Sequence, residues 1–400
     1  MVNYITNKDT IIFSPYYNKL IDPNLLSSYN KIIFSDYELN ECLFEKYEKS
    51  DFENLKYVGS NFNQKIYLRS NSCSKNGTKG CCSCCPQNLT HLTFGMWFNK
   101  KVELPINLMN LTFGFNFNQK VELPPNLTHL TFGIKFNQKV ELPPNLTHLT
   151  FGSRFNQKVE LPPNLTHLTF GEDFNQKVDL HFKNCSLGSN EKHCFCCFSN
   201  LTHLTFGEYF NQKVLLTSNL THITFGKNFN QEVKLPLNLT HLTFGYYFNQ
   251  KVVLPDTLIN LYFRGHFNQK IKLPENLAYL TFGCDFNQKV VLPPNLTHLT
   301  FGFYFNKKVN LPENLIHLTF GYCFNQKVNF PSEIKYLRLE NDKVHNLDYL
   351  PEGIEELELG HEFNDTLDNL PNSLKIIRLH KKCKCNLKCL PSNAEIKYYE

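Results

Sequence analysis

Fifteen cysteines in a chain of 400 residues are the groups best suited to chemistry, because thiolates hold metals, attack electrophiles and pair on oxidation. Eight of them form two matched sets. Counted from Phe62 and from Phe174, Cys73, Cys82, Cys84 and Cys85 stand at the same offsets as Cys185, Cys194, Cys196 and Cys197. Cys81 matches His193, a residue that also ligates metals, and between Cys73 and Cys85 the only other identical pair is Ser74 with Ser186. A segment copied once and then altered nearly everywhere except its thiols suits two metal sites, with zinc the expected ion. Redox pairing and a passenger loop without a role are the alternatives, because Cys-x-Cys-Cys is not a common zinc spacing. Cys383, Cys385 and Cys389 follow a different spacing that packing explains better.

Other polar groups recur rather than converge. His91, His129, His148, His167, His203, His222, His241, His298 and His317 stand at one position of a repeating segment. If adjacent members lie one strand spacing apart, they form a column that resists protonation, because like charges would meet. Ligands from one flat row rarely close a tetrahedron, so a solvent-facing column is the simpler reading. A second column runs through Lys101, Lys120, Lys139, Lys158, Lys177, Lys213, Lys251, Lys270, Lys289, Lys308 and Lys327, broken by Glu232. Two positions on, the first half supplies Glu103, Glu122, Glu141, Glu160 and Asp179, whereas the second half supplies Leu215, Lys234, Val253, Lys272, Val291, Asn310 and Asn329. Lys251, Lys270, Lys289 and Lys308 therefore form a basic stripe, either a solvated face or a surface for an acidic protein or a nucleic-acid backbone.

The most variable positions are dipeptides between a glycine and a phenylalanine. They include Trp97, Phe115, Arg154, Tyr209, Tyr246, Tyr247, His266, Phe303, Tyr304 and Tyr322. Aromatic and arginine side chains at such positions suit partner contacts, and a permissive loop is the competing reading. No Gly-rich phosphate loop, His-Glu-x-x-His or Gly-x-Ser-x-Gly occurs. Catalysis needs unique groups that converge in a pocket, so no catalytic residues are assigned and a non-enzymatic role is expected.

The element that positions all of these is NLTHLTFGxxFNQKVxLPP, which returns every 19 residues. Its anchor is Phe-Asn, with Phe98, Phe117, Phe136, Phe155, Phe174, Phe210 and onward to Phe324. The steps from Phe62 to Phe98 and from Phe174 to Phe210 are 36 residues, one repeat plus 17. After Phe324 the period relaxes to 20, marked by Pro331, Pro351, Pro371 and Pro391.

Leu-Thr-His-Leu-Thr-Phe alternates like a strand, so Leu92 and Phe94 should point inward and His91 and Thr93 outward. Lys-Val-Glu-Leu alternates again, which predicts a second strand with Val102 and Leu104 inside. Gly95 and Gly114 are expected to need a backbone shape that side chains forbid. Units this short cannot bury their own apolar face, so they must stack. About 16 turns at about 4.8 Å each would give a rod on the order of 75–80 Å. The expected fold is an all-β, elongated solenoid with parallel sheets. Residues 1–61 are read as an N-terminal cap with degenerate first turns, 62–330 as the solenoid with Cys-rich inserts at about 69–87 and 181–199, and 331–400 as 20-residue turns and a cap.

LTHLTFGxxFNQKVxLPPN resembles the FNIP repeat, named for its Phe-Asn and Ile-Pro signatures, with Val and Leu-Pro standing in the Ile-Pro region here. That family is leucine-rich-repeat-like, and Leu89-x-x-Leu92-x-Phe94 matches that pattern. The resemblance covers roughly residues 50–390. It implies an interaction scaffold of a kind found in amoebae and in the large viruses that infect them. Some relatives carry an F-box that recruits a ubiquitin ligase, or a kinase domain; no kinase motif is present here, and Met1–Asn61 shows no F-box pattern.

The balanced charge of +5 advertises no nucleic-acid tail. The start of the chain lacks a secretory signal, and no run is apolar enough for a membrane span. An intracellular, cytoplasmic location follows, in which thiols stay reduced and the Asn-Leu-Thr sequons at Asn126, Asn145 and Asn164 stay unglycosylated. The function expected is a scaffold for protein–protein interaction. The alternatives are a substrate-binding adaptor for ubiquitin-dependent degradation and, more remotely, an anion or nucleic-acid binder using the basic stripe.

Overall fold

A computed structural model of the protein describes residues 3–19, 21, 23–26, 28–35, 89–180, 200–340, 350–360, 370–382 and 390–399. The chain forms two compact units, Met1–Phe210 and Asn211–Glu400. In the first, β1 (Tyr4–Asn7) pairs antiparallel with β2 (Thr10–Phe13) and covers its edge. A short helix, α1 (Pro23–Leu26), precedes β3 (Lys31–Phe34), which pairs parallel with β2. Parallel pairing continues through β4 (His91–Thr93), β5 (Asn110–Thr112), β6 (His129–Thr131), β7 (His148–Thr150), β8 (His167–Thr169) and β9 (His203–Thr205).

The second unit repeats the arrangement. It runs through β10 (His222–Thr224), β11 (His241–Phe244), β12 (Asn260–Phe263), β13 (Tyr279–Thr281) and β14 (His298–Thr300). It ends with β15 (His317–Phe320), β16 (Tyr336–Leu339), β17 (Glu356–Leu359), β18 (Ile376–His380) and β19 (Glu395–Tyr399), each parallel to the one before. Each unit is thus a β-solenoid, as the repeat predicts.

Two registers bear on the inserts. β8 meets β9 with His167 opposite His203, so the ladder is continuous across the 36-residue step. β3 meets β4 with Lys31 opposite His91. The turn expected around Phe62 lies outside the described residues. Phe363 and Asn364 also lie outside them.

Alternation decides which side chains fill the core. Leu92, Leu111, Leu130 and their successors are at most 2% exposed, while the flanking His and Thr lie at the surface. Phe94 and Phe98 stack on each other at 4.1 Å, and both stack on the equivalent rings of the next turn. Burying one such ring is worth roughly 1.5–3 kcal/mol, and a continuous double column repeats that gain at every turn.

The ring columns step by different amounts from turn to turn. Histidine centroids on the outer face of the sheet are 4.1–4.4 Å apart. Phenylalanines at the strand ends step by 5.4–5.9 Å, and the anchor phenylalanines by 6.0–6.2 Å. Ladder bonds between backbones need strands about 4.8 Å apart. Among the described residues the second run, Lys-Val-x-Leu, forms no ladder beyond a lone bridge at Glu103. This corrects the expectation of two strands per turn. Leu104 is buried there, but Val102 only half so.

After the anchor, asparagine side chains join one turn to the next. Oδ1 of Asn99 accepts the backbone N–H of Asn118 at 2.9 Å and the side-chain amide of Gln119 at 3.1 Å. The same pair of bonds recurs from Asn118, Asn137 and Asn156 in the first unit, and from Asn211, Asn230, Asn249 and Asn268 in the second. The glycine column has a different origin from the one expected. A Cβ on Gly114 would stand 2.1 Å from the carbonyl oxygen of Gly95, and the backbone is not in the left-handed region. Close approach of successive turns, not an unusual backbone shape, requires glycine.

Candidate partner-binding surface

The variable dipeptides form an edge whose backbone is tied from turn to turn. Asn116 N–H donates to Met96 O, Arg154 N–H to Ile134 O, Tyr247 N–H to Lys227 O and Tyr304 N–H to Cys284 O, all at 2.8–2.9 Å. Trp97, Arg154 and Tyr209 are exposed in the first unit, while Phe115 is half-buried with the Lys135 ammonium 5.5 Å from its ring.

In the second unit the edge gathers aromatic groups. Tyr246 and Tyr247 meet edge to face at 5.2 Å, and both touch His266. His266 Nδ1 pairs with Asp285 Oδ2 of the following turn. Phe303 contacts Tyr304 at 4.8 Å and stacks on Tyr322 at 5.0 Å. Tyr246, Tyr247, Phe303 and Tyr304 remain exposed. The His266 turn is built differently from its neighbours. Arg264 stands in the glycine slot and the glycine falls one residue later, where a Cβ on Gly265 would meet the Tyr246 ring at 2.7 Å. That shift was legible in the sequence; its effect, bringing Tyr246 over the backbone beside His266, was not.

Lys251, Lys270, Lys289 and Lys308 are all exposed on the segment that follows the anchor. The acids that accompany this column in the first unit are exposed as well. In the second unit Val253 and Val291, which take their place, are each 88% exposed.

The histidine column is stacked as expected. His129, His148, His167 and His203 form one continuous run with ring planes within 13° of parallel. Rings stacked face to face cannot aim their lone pairs at one ion, and among the described residues no His, Cys, Asp or Glu cluster is arranged to hold a metal. Partial burial, reinforced by His129, His167 and His203, holds the His148 imidazole down to about 4. His91, His129, His167 and His298 are lowered for the same first reason.

The proposed zinc ligands Cys73, Cys82, Cys84, Cys85, Cys185, Cys194, Cys196 and Cys197 lie outside the described residues, as do Cys383, Cys385 and Cys389. No described helix is long and apolar enough to cross a membrane.

Comparison with known proteins places this architecture. No curated protein sequence matches. Among solved structures, CroV588, described as a novel circular LRR protein, is 34% identical with a TM-score of 0.70; the match covers 99% of this chain. This chain spans 60% of the length of that protein. YopM from Yersinia enterocolitica is 17% identical over 79% of this chain and 88% of its own, with a TM-score of 0.43. A leucine-rich repeat protein from Bacteroides ovatus is 13% identical over 78% and 85%, with a TM-score of 0.20. The FNIP Repeat family matches residues 98–135, 117–154, 136–160, 155–182, 231–266, 267–304, 286–323, 305–342 and 346–382. These segments cover more than half of the sequence and carry the Phe-Asn anchors that build the core, so the chain belongs to the FNIP-repeat family.

Proposed function

We propose that the protein is a non-catalytic scaffold that binds another protein through the variable edge of its turns. The observation that carries this reading is the combination of a hydrogen-bonded edge backbone with exposed aromatic side chains at Tyr246, Tyr247, Phe303 and Tyr304. Large side chains held on a rigid frame lose little entropy on binding, and such residues dominate interface energies.

The test is recovery of partners from the native cell with the wild-type chain and with a Tyr246→Ala, Tyr247→Ala, Tyr304→Ala variant. A protein bound in fixed ratio to the wild type and lost from the variant supports the reading. Equal recovery by both chains, or recovery only of nuclease-sensitive material, sinks it. Co-recovery of ubiquitin-ligase subunits would make the scaffold a degradation adaptor.

A further inference from the structure

We propose that the second unit carries a docking track for an acidic amphipathic α-helix, laid along the segments that follow the anchor phenylalanines. The track is separate from the aromatic edge and does not depend on it. In each extended segment, residues two apart point the same way. Lys251 therefore shares a face with Val253, Lys270 with Lys272, and Lys289 with Val291, while Val252 and Val290 between them turn towards the body.

The apolar members of this face do nothing for the fold. Val253 and Val291 are each 88% exposed and Leu215 is 72% exposed. The first unit puts Glu103, Glu122, Glu141 and Glu160 at the equivalent position and builds the same turn. Single exposed apolar residues are ordinary, but these recur at a fixed interval. Leu215, Val253 and Val291 are 38 residues apart, every second turn, with Lys234 and Lys272 between them. Beside this column runs the lysine row, continuous from Lys251 to Lys327 and interrupted by Glu232 before it.

The spacing selects the ligand. Successive anchor phenylalanines, three residues before each lysine, step by 6.0–6.2 Å. An α-helix rises about 5.4 Å per turn and about 10.5 Å per seven residues, against 6.0–6.2 Å for one turn of the track and twice that for two. A helix also presents two adjoining rows on one face. One row of acids can follow the lysines from Lys251 onward while apolar residues seven apart meet Val253 and Val291. Over that single two-turn step the helix falls about 1.5–1.9 Å short, which flexible lysine stems absorb along the charged row. An extended strand along the same line offers a single row per face, and its backbone groups would find no ladder, because these segments form none.

The experiment uses the full chain and two labelled synthetic peptides of about 21 residues, the length of six helical turns. One carries Leu at every seventh position with Glu in the adjoining row; the other has the same composition permuted so that no row forms. Fluorescence anisotropy should show the patterned peptide bound at least about tenfold more tightly, with affinity falling as salt rises. Replacing Lys251, Lys270, Lys289 and Lys308 with Glu should abolish binding. Val253→Ser with Val291→Ser, which leaves every charge in place, should weaken it about tenfold. Tyr247→Ala with Tyr304→Ala should leave it unchanged, which separates this track from the aromatic edge. Equal binding of the two peptides, indifference to the valine changes, or displacement by a DNA duplex with no loss in the valine variant would overturn the proposal.

Discussion

The Thr147 hydroxyl lies 2.9 Å from Nδ1 of the adjacent His148. The same hydroxyl reaches the carbonyl of Thr128 on the preceding turn at 3.1 Å. A carbonyl only accepts, and a hydroxyl has one proton to give. With both bonds made, Thr147 donates to Thr128 and His148 Nδ1–H donates to Thr147. The neutral ring therefore carries its proton on Nδ1 and leaves Nε2 as an acceptor. Thr128 with His129 and Thr166 with His167 repeat the arrangement, so these three histidines share one tautomer.

This column should make stability fall with acid. The His148 imidazole is held at about 4 in the fold, against about 6.5 in an unfolded chain. Above pH 6.5 both states are neutral and stability is at its full value. As pH drops from 6.5 towards 4 the unfolded state takes up protons that the folded state refuses, and stability declines. Denaturation midpoints measured across this range should fall, and less steeply in His148→Asn. Asn110 already occupies the same column, so that side chain fits. Identical profiles for the two chains would contradict the assignment.

The asparagine ladder should depend on its acceptor. Asn137 Oδ1 takes the Asn156 N–H and the Gln157 amide, both at 3.0 Å. Asn137→Ala leaves two part-buried donors unmatched and should cost about 1–3 kcal/mol in urea unfolding. Asn137→Asp keeps an acceptor and should cost less. The reverse order would mean that the amide donor, not the oxygen, holds the turn.

Glycine substitutions should be severe. A Cβ at Gly152 would lie 2.0 Å from the Gly133 carbonyl oxygen, where only backbone can move. Gly152→Ala should lose about 3 kcal/mol or more. Ser153→Ala, one residue later on the variable edge, should change stability by less than about 0.5 kcal/mol. Comparable losses from both would place the sensitivity elsewhere in the turn.

We further propose that the paired cysteine inserts hold metal, one ion each. Protein purified under reducing conditions should contain about two zinc ions per chain by elemental analysis. Replacing Cys82 and Cys84 with Ser should remove one. Chelation should lower protection of the inserts against proteolysis while the far-ultraviolet dichroism persists. A metal-free protein with freely titrating thiols would return the inserts to passenger loops.

The strand at His91–Thr93 was legible because alternation alone assigns Leu92 to the core. Lys101 to Leu104 alternates just as clearly, yet forms no strand. Across the turns at His91–Thr93 the cross-turn bonds are made by backbone, whereas after the anchor they are made by the Asn99 and Asn118 side chains. Gly114 was legible as a position but not as a cause, since the oxygen that excludes a side chain belongs to Gly95. Among the site residues, the exposure of Tyr247 and Tyr304 follows from their place in the repeat. The pairing of His266 with Asp285 depends on side-chain geometry across two turns, which spacing does not encode.

In-register stacking also changes what sequence separation means. Within a unit, residues 19 apart are neighbours, so Tyr247 and His266 touch although a whole turn of chain divides them. Each turn contributes two freely chosen letters at the edge, written on a frame that does not depend on what they spell. Duplicating or deleting one complete turn would move every later pair by one step and leave the text on either side intact. Surfaces of this kind can be lengthened, shortened or spliced without redesigning a core, which makes the turn, rather than the residue, the natural unit of change.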